Sequence, residues 1–178
     1  MAKRIAIISN GPSAWMFSEA NREDYDAIIG VNGRVAYFPC DWWCFVDFST
    51  FVNITPLGHP KLFLSQNAIK KLHSFMPERV GELDDYELLV QDKITLPQFP
   101  DDMPKWNSFS GLPAPVLAWH LGAEEVHVFG ADMNGTLDHD GLTSPSRHDK
   151  RWSHERDIWF QVTSTLLQLG VKVWRILP

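Results

Sequence analysis

The sequence predicts an α/β fold, a single domain built on one doubly wound, mainly parallel sheet with an irregular lid or insert. Three observations predict it. Short apolar runs rich in β-branched residues recur along the chain, segments of helical spacing fall between them, and a polar residue or glycine closes several of the runs. Parallel neighbours follow from this alternation, because parallel strands need crossover connections. Ligands of such sheets bind beyond the carboxyl ends of the strands, where strand order reverses.

The first run, Ile5-Ala6-Ile7-Ile8 within residues 4–9, is closed by the turn signal Asn10-Gly11-Pro12 and suits a buried strand. Residues 13–20 lack strand alternation, and with Pro12 in the first turn they predict a short helix. A second strand is predicted over 26–31, ending on Asn32-Gly33, and a third over 42–46, followed by Asp47. Residues 61–65 form a shorter strand candidate, with helix over 67–73. Four prolines and many acidic residues punctuate 74–106, which predicts an irregular insert or an active-site cover, with disorder as the competing reading. Order returns with a helix over 113–121 ended by Gly122, then a strand over 125–129 closed by Gly130-Ala131-Asp132. A polar loop over 134–150 carries Asp138, His139, Asp140 and His148. The longest helix pattern, 151–169, stops at Gly170, and 171–177 forms the closing strand.

Composition bounds the function classes. The 178 residues, 44% of them hydrophobic, suit one globular domain spanning 1–178. No run reaches the roughly 18 apolar residues of a membrane span, and the N-terminus passes directly into a strand, so a cytoplasmic protein is expected. A net charge of −6 disfavours nucleic acid as a partner, apart from the local basic set Arg147, Lys150, Arg151 and Arg156. Cys40 and Cys44 lack the second ligand pair of a structural zinc site and are expected to be free, buried thiols. Most of the tryptophans fall in patterns that read as core. An exposed sheet edge would be open to pairing in a homo-oligomer.

Asn10, Asn32, Asp47 and Asp132 are all predicted to stand on the carboxyl edge of the sheet. Gly11 permits close backbone approach and Ser13 adds a hydroxyl, so the first loop reads either as an anion cradle at a helix start or as a plain strand-to-helix turn. Asn107-Ser108-Phe109-Ser110-Gly111 reads likewise as a second helix start or as ordinary capping by Ser110. Together the two would clamp a nucleotide monophosphate or diphosphate. His148 and His154, near or at the start of the last helix, read either as candidate general bases for an acceptor hydroxyl, because imidazole titrates near neutrality, or as solvated surface residues. Asp138, His139 and Asp140 carry metal-ligand chemistry without a spacing that identifies a metal site.

Taken in order, Ile7 to Ser13, Val31-Asn32, Phe109-Ser110-Gly111 with its helix to Leu121-Gly122, and Glu124 to Asp132 resemble the bacterial sialyltransferases of the glycosyltransferase 42 type. They also resemble the related domain of unknown function 115, whose characterised members include an archaeal 6-hydroxymethylpterin diphosphokinase. The first resemblance implies a Rossmann-like domain with a mobile lid and a CMP-sugar donor used without a metal. It implies donor contacts from Asn10, Asn32 and Ser110, with Gly130 and Asp132 lining the nucleotide pocket, and a histidine base shortly before the last helix, His154 or His148. The lid would be 74–106 or 134–150. Gly11, Ser13 and Gly111 complete the expected binding set. Asn107 and Asn134 depart from the family's arginine and tyrosine, and loss of that tyrosine removes a donor to the departing phosphate. The expected function is a glycosyltransferase-like enzyme with a nucleotide-sugar donor, a hydroxyl acceptor and no required cofactor. The alternatives are an Mg²⁺-dependent diphosphokinase, with Asp132, Asp138 or Asp140 holding the ion, and a non-catalytic nucleotide-binding protein.

Overall fold

The computed structural model describes residues 2–102, 104–108, 111–136 and 149–178, with backbone alone for 19–21. Its strands are β1 (Arg4–Ile8), β2 (Ala27–Val31), β3 (Trp42–Phe45), β4 (Lys61–Leu64), β5 (Leu88–Val90), β6 (Glu125–Phe129) and β7 (Lys172–Ile176). They form one seven-stranded sheet in the order β5-β4-β3-β2-β1-β6-β7. Every neighbouring pair is parallel. Helices α1 (Phe48–Asn53), α2 (Gln66–Phe75), α3 (Pro113–His120) and α4 (Asp149–Gln168) complete the α/β architecture, which is Rossmann-like in its winding.

The pleat explains why the strands read as continuous apolar runs. Ile5 and Ile7 of β1 point into a core shared with α3 and α4, including Leu117, Ile158 and Val162. Ala6 and Ile8 point the other way, to Ala14, Phe17 and Phe38. With both faces covered, neither set of positions is left to water. Farther along the sheet, Trp43, Phe45, Leu62 and Leu64 pack with Phe51 of α1 and with Ala68 and Leu72 of α2. Residues Pro113 to Ala118 of α3 are all buried, and Gly122 at φ 83 turns the chain out of that helix into β6.

Two expectations need correction. The short helix expected over 13–20 is instead a pair of 3-10 segments, Pro12–Met16 and Glu19–Asp24. Phe17 between them has an extended backbone, which sets its ring edge-on to Phe38 and Phe129 at 5.7 and 5.4 Å. Ring packing there outweighs helix propensity. The segment 74–106 supplies a structural part of the sheet, because β5 lies in it and pairs with β4. A three-residue strand is too short to carry a period. Gln91, fully buried just after β5, donates from Nε2 to the carbonyls of Phe45 (2.9 Å) and Phe63 (3.1 Å) and ties this edge to β3 and β4.

Cys44 is buried and Cys40 half-buried, and neither is joined in a disulfide. Burial raises the pKa of both, that of Cys40 to about 12, which leaves two unreactive thiols near neutral pH. No helix among the described residues is long and apolar enough to cross a membrane.

The amino edge of the sheet carries a polar chain. Tyr25 donates its hydroxyl to His127 Nδ1 (2.9 Å), and His127 Nε2 bonds Glu125 Oε1 (3.1 Å). Arg4 Nη2 meets the other carboxylate oxygen of Glu125 at 3.3 Å. An imidazole with its proton on Nε2 satisfies both neighbours without being charged. Burial pushes the Tyr25 hydroxyl pKa up, which keeps it a donor. The His127 hydrogen bond, helped by the Arg4 charge and opposed by burial, holds the Glu125 carboxyl below the usual carboxylate range. A depressed carboxyl stabilises the fold above its unfolded pKa, and the contribution fades as pH falls through the folded value. Glu125→Gln is therefore expected to be less stable than the wild type at neutral pH. Urea unfolding across a pH series should show that difference closing on acidification below the ordinary carboxylate range.

Candidate functional site

Register places the site. Ile8 aligns with Gly30 of β2 and with Phe129 of β6, so β1, β2 and β6 end within one residue of each other. The chain winds from β1 outward to β5 and later returns with β6 on the other side of β1. The strand order therefore reverses between β1 and β6, and the crevice there is where a doubly wound sheet binds ligands. A cavity of about 280 Å³ opens at this point. Ser9, Asn10 and Gly11 line it from β1, Val31 and Asn32 from β2, and Asp47 from the end of β3. Gly130, Ala131 and Met133 come from the loop after β6, and Gly111 precedes α3. Arg151, Trp152, Glu155 and Trp159 form the wall supplied by α4, at spacings that put them on one helix face.

The β1 and β6 loops are stapled together. Ser9 N–H donates to the Phe129 carbonyl and Gly11 N–H to the Gly130 carbonyl, both at 2.7 Å. Gly130 N–H donates to Ser13 Oγ (3.0 Å), and Ser13 N–H donates to Asp132 Oδ2 (3.0 Å). The two glycines are required by contact. A Cβ on Gly11 would lie 2.5 Å from the Gly130 carbonyl oxygen and overlap the Asp132 carboxylate, and one on Gly130 would overlap the Ser9 carbonyl.

These bonds change the meaning of the first loop. The Gly11 and Ser13 N–H groups are taken, Ala14 N–H bonds the Gly11 carbonyl at 3.0 Å, and Pro12 has no N–H to offer. The segment that follows is a five-residue 3-10 turn rather than an α-helix. A carboxylate, that of Asp132, already occupies the place where a phosphate was expected. Electrostatics and hydrogen bonding together argue against an anion cradle at this loop.

What the cavity does offer is acceptors. Asn10 Oδ1 and Asn32 Oδ1 are buried, and no donor among the described residues reaches either. Buried polar atoms are nearly always bonded, so two orphans on one cavity need a reason. Backbone geometry adds to this. Asn32 (φ 51) and Met133 (φ 49), both lining residues, are left-handed without being glycine. Strain of this kind persists only where the surroundings enforce it, and it concentrates at functional sites. Trp43 Nε1 donates to the Asn32 carbonyl at 2.9 Å, and Arg156 Nη1 to the Met133 carbonyl at 3.0 Å. Trp152 Nε1 donates to the Gly135 carbonyl at 2.9 Å, so α4 pins the loop after β6 twice. Glu155, buried at 7% exposure, pairs with Arg151 Nε at 3.3 Å one turn earlier.

Of the residues singled out from sequence, Asn10, Gly11, Asn32, Gly111 and Gly130 come together on the cavity. Ser13 and Asp132 stand behind it as the staple. His154 is exposed on α4 and is not a lining residue. Ser110, His148, Asp138, His139 and Asp140 lie outside the described residues. Among the described residues no group of three His, Cys, Asp or Glu side chains is placed to hold a metal ion. Sequence reasoning missed Glu155 and the cavity role of Arg151, Trp152 and Trp159. A tryptophan pair at helical spacing reads as core, and Trp152 does belong to the core. Asp47 carried a signal in its position after β3.

A second depression, about 330 Å³, is lined by residues of 92–107 such as Asp92, Phe99, Lys105 and Trp106. It is of similar size, but among the described residues no buried unpartnered polar atom belongs to its lining, and it lies off the strand-order reversal. Chemistry rather than size selects the first cavity. No known family model matches the chain, and no curated protein matches it significantly in sequence.

Proposed function

We propose that the protein is a glycosyltransferase-like enzyme that binds a nucleotide sugar in the cavity between β1, β2 and β6 and passes the glycosyl group to a hydroxyl acceptor. The observation that carries this reading is the pair of unpartnered amide oxygens, Asn10 Oδ1 and Asn32 Oδ1, on a cavity at the reversal of strand order. Sugar hydroxyls and base amino groups are the donors such oxygens pair with. Two tryptophans in the α4 wall, Trp152 and Trp159, add the apolar surface on which a ring can stack.

In the proposed reaction the acceptor oxygen forms a bond to the anomeric carbon as the bond from that carbon to the phosphate oxygen breaks. The electron pair of the broken bond leaves with the nucleotide, and the acceptor proton passes to a base. His154 and His148 are the bases suggested by resemblance. Asp47 is a second choice favoured by a specific observation, since it lines the cavity and His154 does not. CMP-linked sugars are the first donors to try.

The test is release of nucleotide from a panel of CMP-, UDP- and GDP-sugars, with and without EDTA, by the wild type, His154→Ala, His148→Ala and Asp47→Asn. EDTA-insensitive release is expected from at least one donor. Loss of the base should lower kcat by about 10²–10⁴-fold in one of the three variants. Absence of both binding and release across the panel would refute the proposal. Activity found only with ATP and Mg²⁺ would replace it with diphosphate transfer.

A further inference from the structure

The polar groups around the cavity differ in kind from those of a phosphate site. Every backbone N–H of the first loop from Gly11 to Ala14 is already bonded within the protein, one of them by the Asp132 carboxylate. The two orphaned side-chain atoms, Asn10 Oδ1 and Asn32 Oδ1, are acceptors. Asp47 sits at the capping position before α1, yet its side chain makes no cap bond, so its carboxylate is not spent on the helix. Glu155 adds a second carboxylate, and the Arg151 guanidinium beside it at 3.3 Å is offset by that charge. Among the described lining residues, two carboxylates stand against one guanidinium.

An anion in this cavity would meet like charge and oxygen lone pairs, whereas a group bearing O–H or N–H donors would meet complementary acceptors. Size points the same way. A cavity of about 280 Å³ lies just below the roughly 300–1,000 Å³ of pockets that enclose drug-sized ligands. It has room for one ring, and a longer ligand extends through its open mouth.

We infer that this cavity holds an uncharged ring rich in hydroxyl or amino donors and excludes phosphate, with Asn10 and Asn32 acting as hydrogen-bond acceptors. The inference rests on the reading of this cavity as the ligand site. A glycosyl group and a nucleoside both carry such a ring, and the phosphate that joins them lies outside the cavity mouth.

An isosteric exchange separates acceptor from donor roles, because Asn→Asp keeps the acceptor and removes the amide N–H₂. Asn10→Asp, Asn32→Asp, Asn10→Ala and Asn32→Gly are titrated by calorimetry, glycine at 32 being the truncation that tolerates the positive φ. The probes are cytidine, uridine, adenosine, galactose and N-acetylglucosamine, then inorganic phosphate and pyrophosphate, then intact CMP- and UDP-sugars. Binding of a neutral ring or of an intact nucleotide sugar is expected, with no competition by pyrophosphate. A response to nucleosides alone assigns the cavity to the nucleoside, and a response to free sugars alone assigns it to the glycosyl group. The aspartate variants should keep affinity within about threefold, while the truncations lose about tenfold.

Competition by pyrophosphate, or an aspartate variant as weak as the truncation, overturns the inference and leaves the proposed donor site standing. If no neutral ring and no intact nucleotide sugar binds, the inference and the reading beneath it both fail. Thermal unfolding of each variant identifies any that does not fold, and the remaining Asn→Asp comparison then carries the test.

Discussion

Gly130→Ala is expected to destabilise the protein by about 3 kcal/mol, the sum of left-handed backbone strain for a residue with a Cβ and overpacking against rigid neighbours. Gly130 sits at φ 75, and an added Cβ would overlap the Ser9 carbonyl oxygen. It would also stand 2.8 Å from the Ser9 carbonyl carbon and 2.9 Å from Ala14 Cβ. Two of the three neighbours are backbone and belong to the staple between the β1 and β6 loops, so relief requires the loops to part. In a domain of this size the loss corresponds to roughly 6–12 °C in Tm. Thermal unfolding measures it. Because Ser9, Gly11 and Gly130 line the cavity, ligand-induced stabilisation should fall along with Tm. A Gly130→Ala protein with wild-type Tm would show that the loops are not held as described.

Trp43→Ala is expected to cost about 3–5 kcal/mol, the range for deleting a large aromatic side chain from a core. Trp43 is 1% exposed and packs against Phe45 at 4.9 Å and Phe51 at 6.0 Å between ring centroids. Its indole also reaches the site, since Nε1 holds the carbonyl of left-handed Asn32. Trp43→Phe separates the two roles. It keeps most of the ring volume, so its stability cost should be about 1–2 kcal/mol, while it frees Asn32 and weakens ligand binding. Urea unfolding gives the first quantity and titration with a bound nucleotide or sugar the second. Equal ligand affinity in Trp43→Phe and wild type would mean that the Asn32 conformation does not depend on this bond.

Much of the fold was legible because strands buried on both faces leave long apolar runs that a parallel sheet alone explains. β1, β2, β3 and β4 each follow such a run, β6 and the more exposed edge strand β7 were legible from their Val residues and flanking glycines, and Gly122 and Gly170, both with positive φ, stand where helices were expected to end. β5 escaped notice because three residues carry no period and Gln91 beside it reads as surface, although its amide is the buried tie to β3 and β4. Helix α1 is only six residues long and is equally faint in sequence. At the site, the strand ends were legible: Asn10, Asn32, Gly130 and Asp47 all reach the cavity. What each does there was not. Whether the N–H groups after Asn10 are open to a ligand depends on Asp132, a residue 119 positions beyond Ser13, and no local pattern reports that bond. The side of α4 that faces the cavity is hidden in the same way, because Trp152 and Trp159 fit a core stripe and a cavity wall equally well.

A ligand is expected to sit between Asn10, Asn32 and the α4 wall, at the reversal of strand order. A crystal structure of the protein soaked with CMP- and UDP-sugars tests it most directly. The expected result is a ring of the ligand within hydrogen-bond distance of Asn10 Oδ1 and Asn32 Oδ1, with the Ser13 N–H still bonded to Asp132. A ligand seated instead in the depression near Asp92 and Trp106, or a phosphate on the Ser13 N–H with Asp132 displaced, would contradict it.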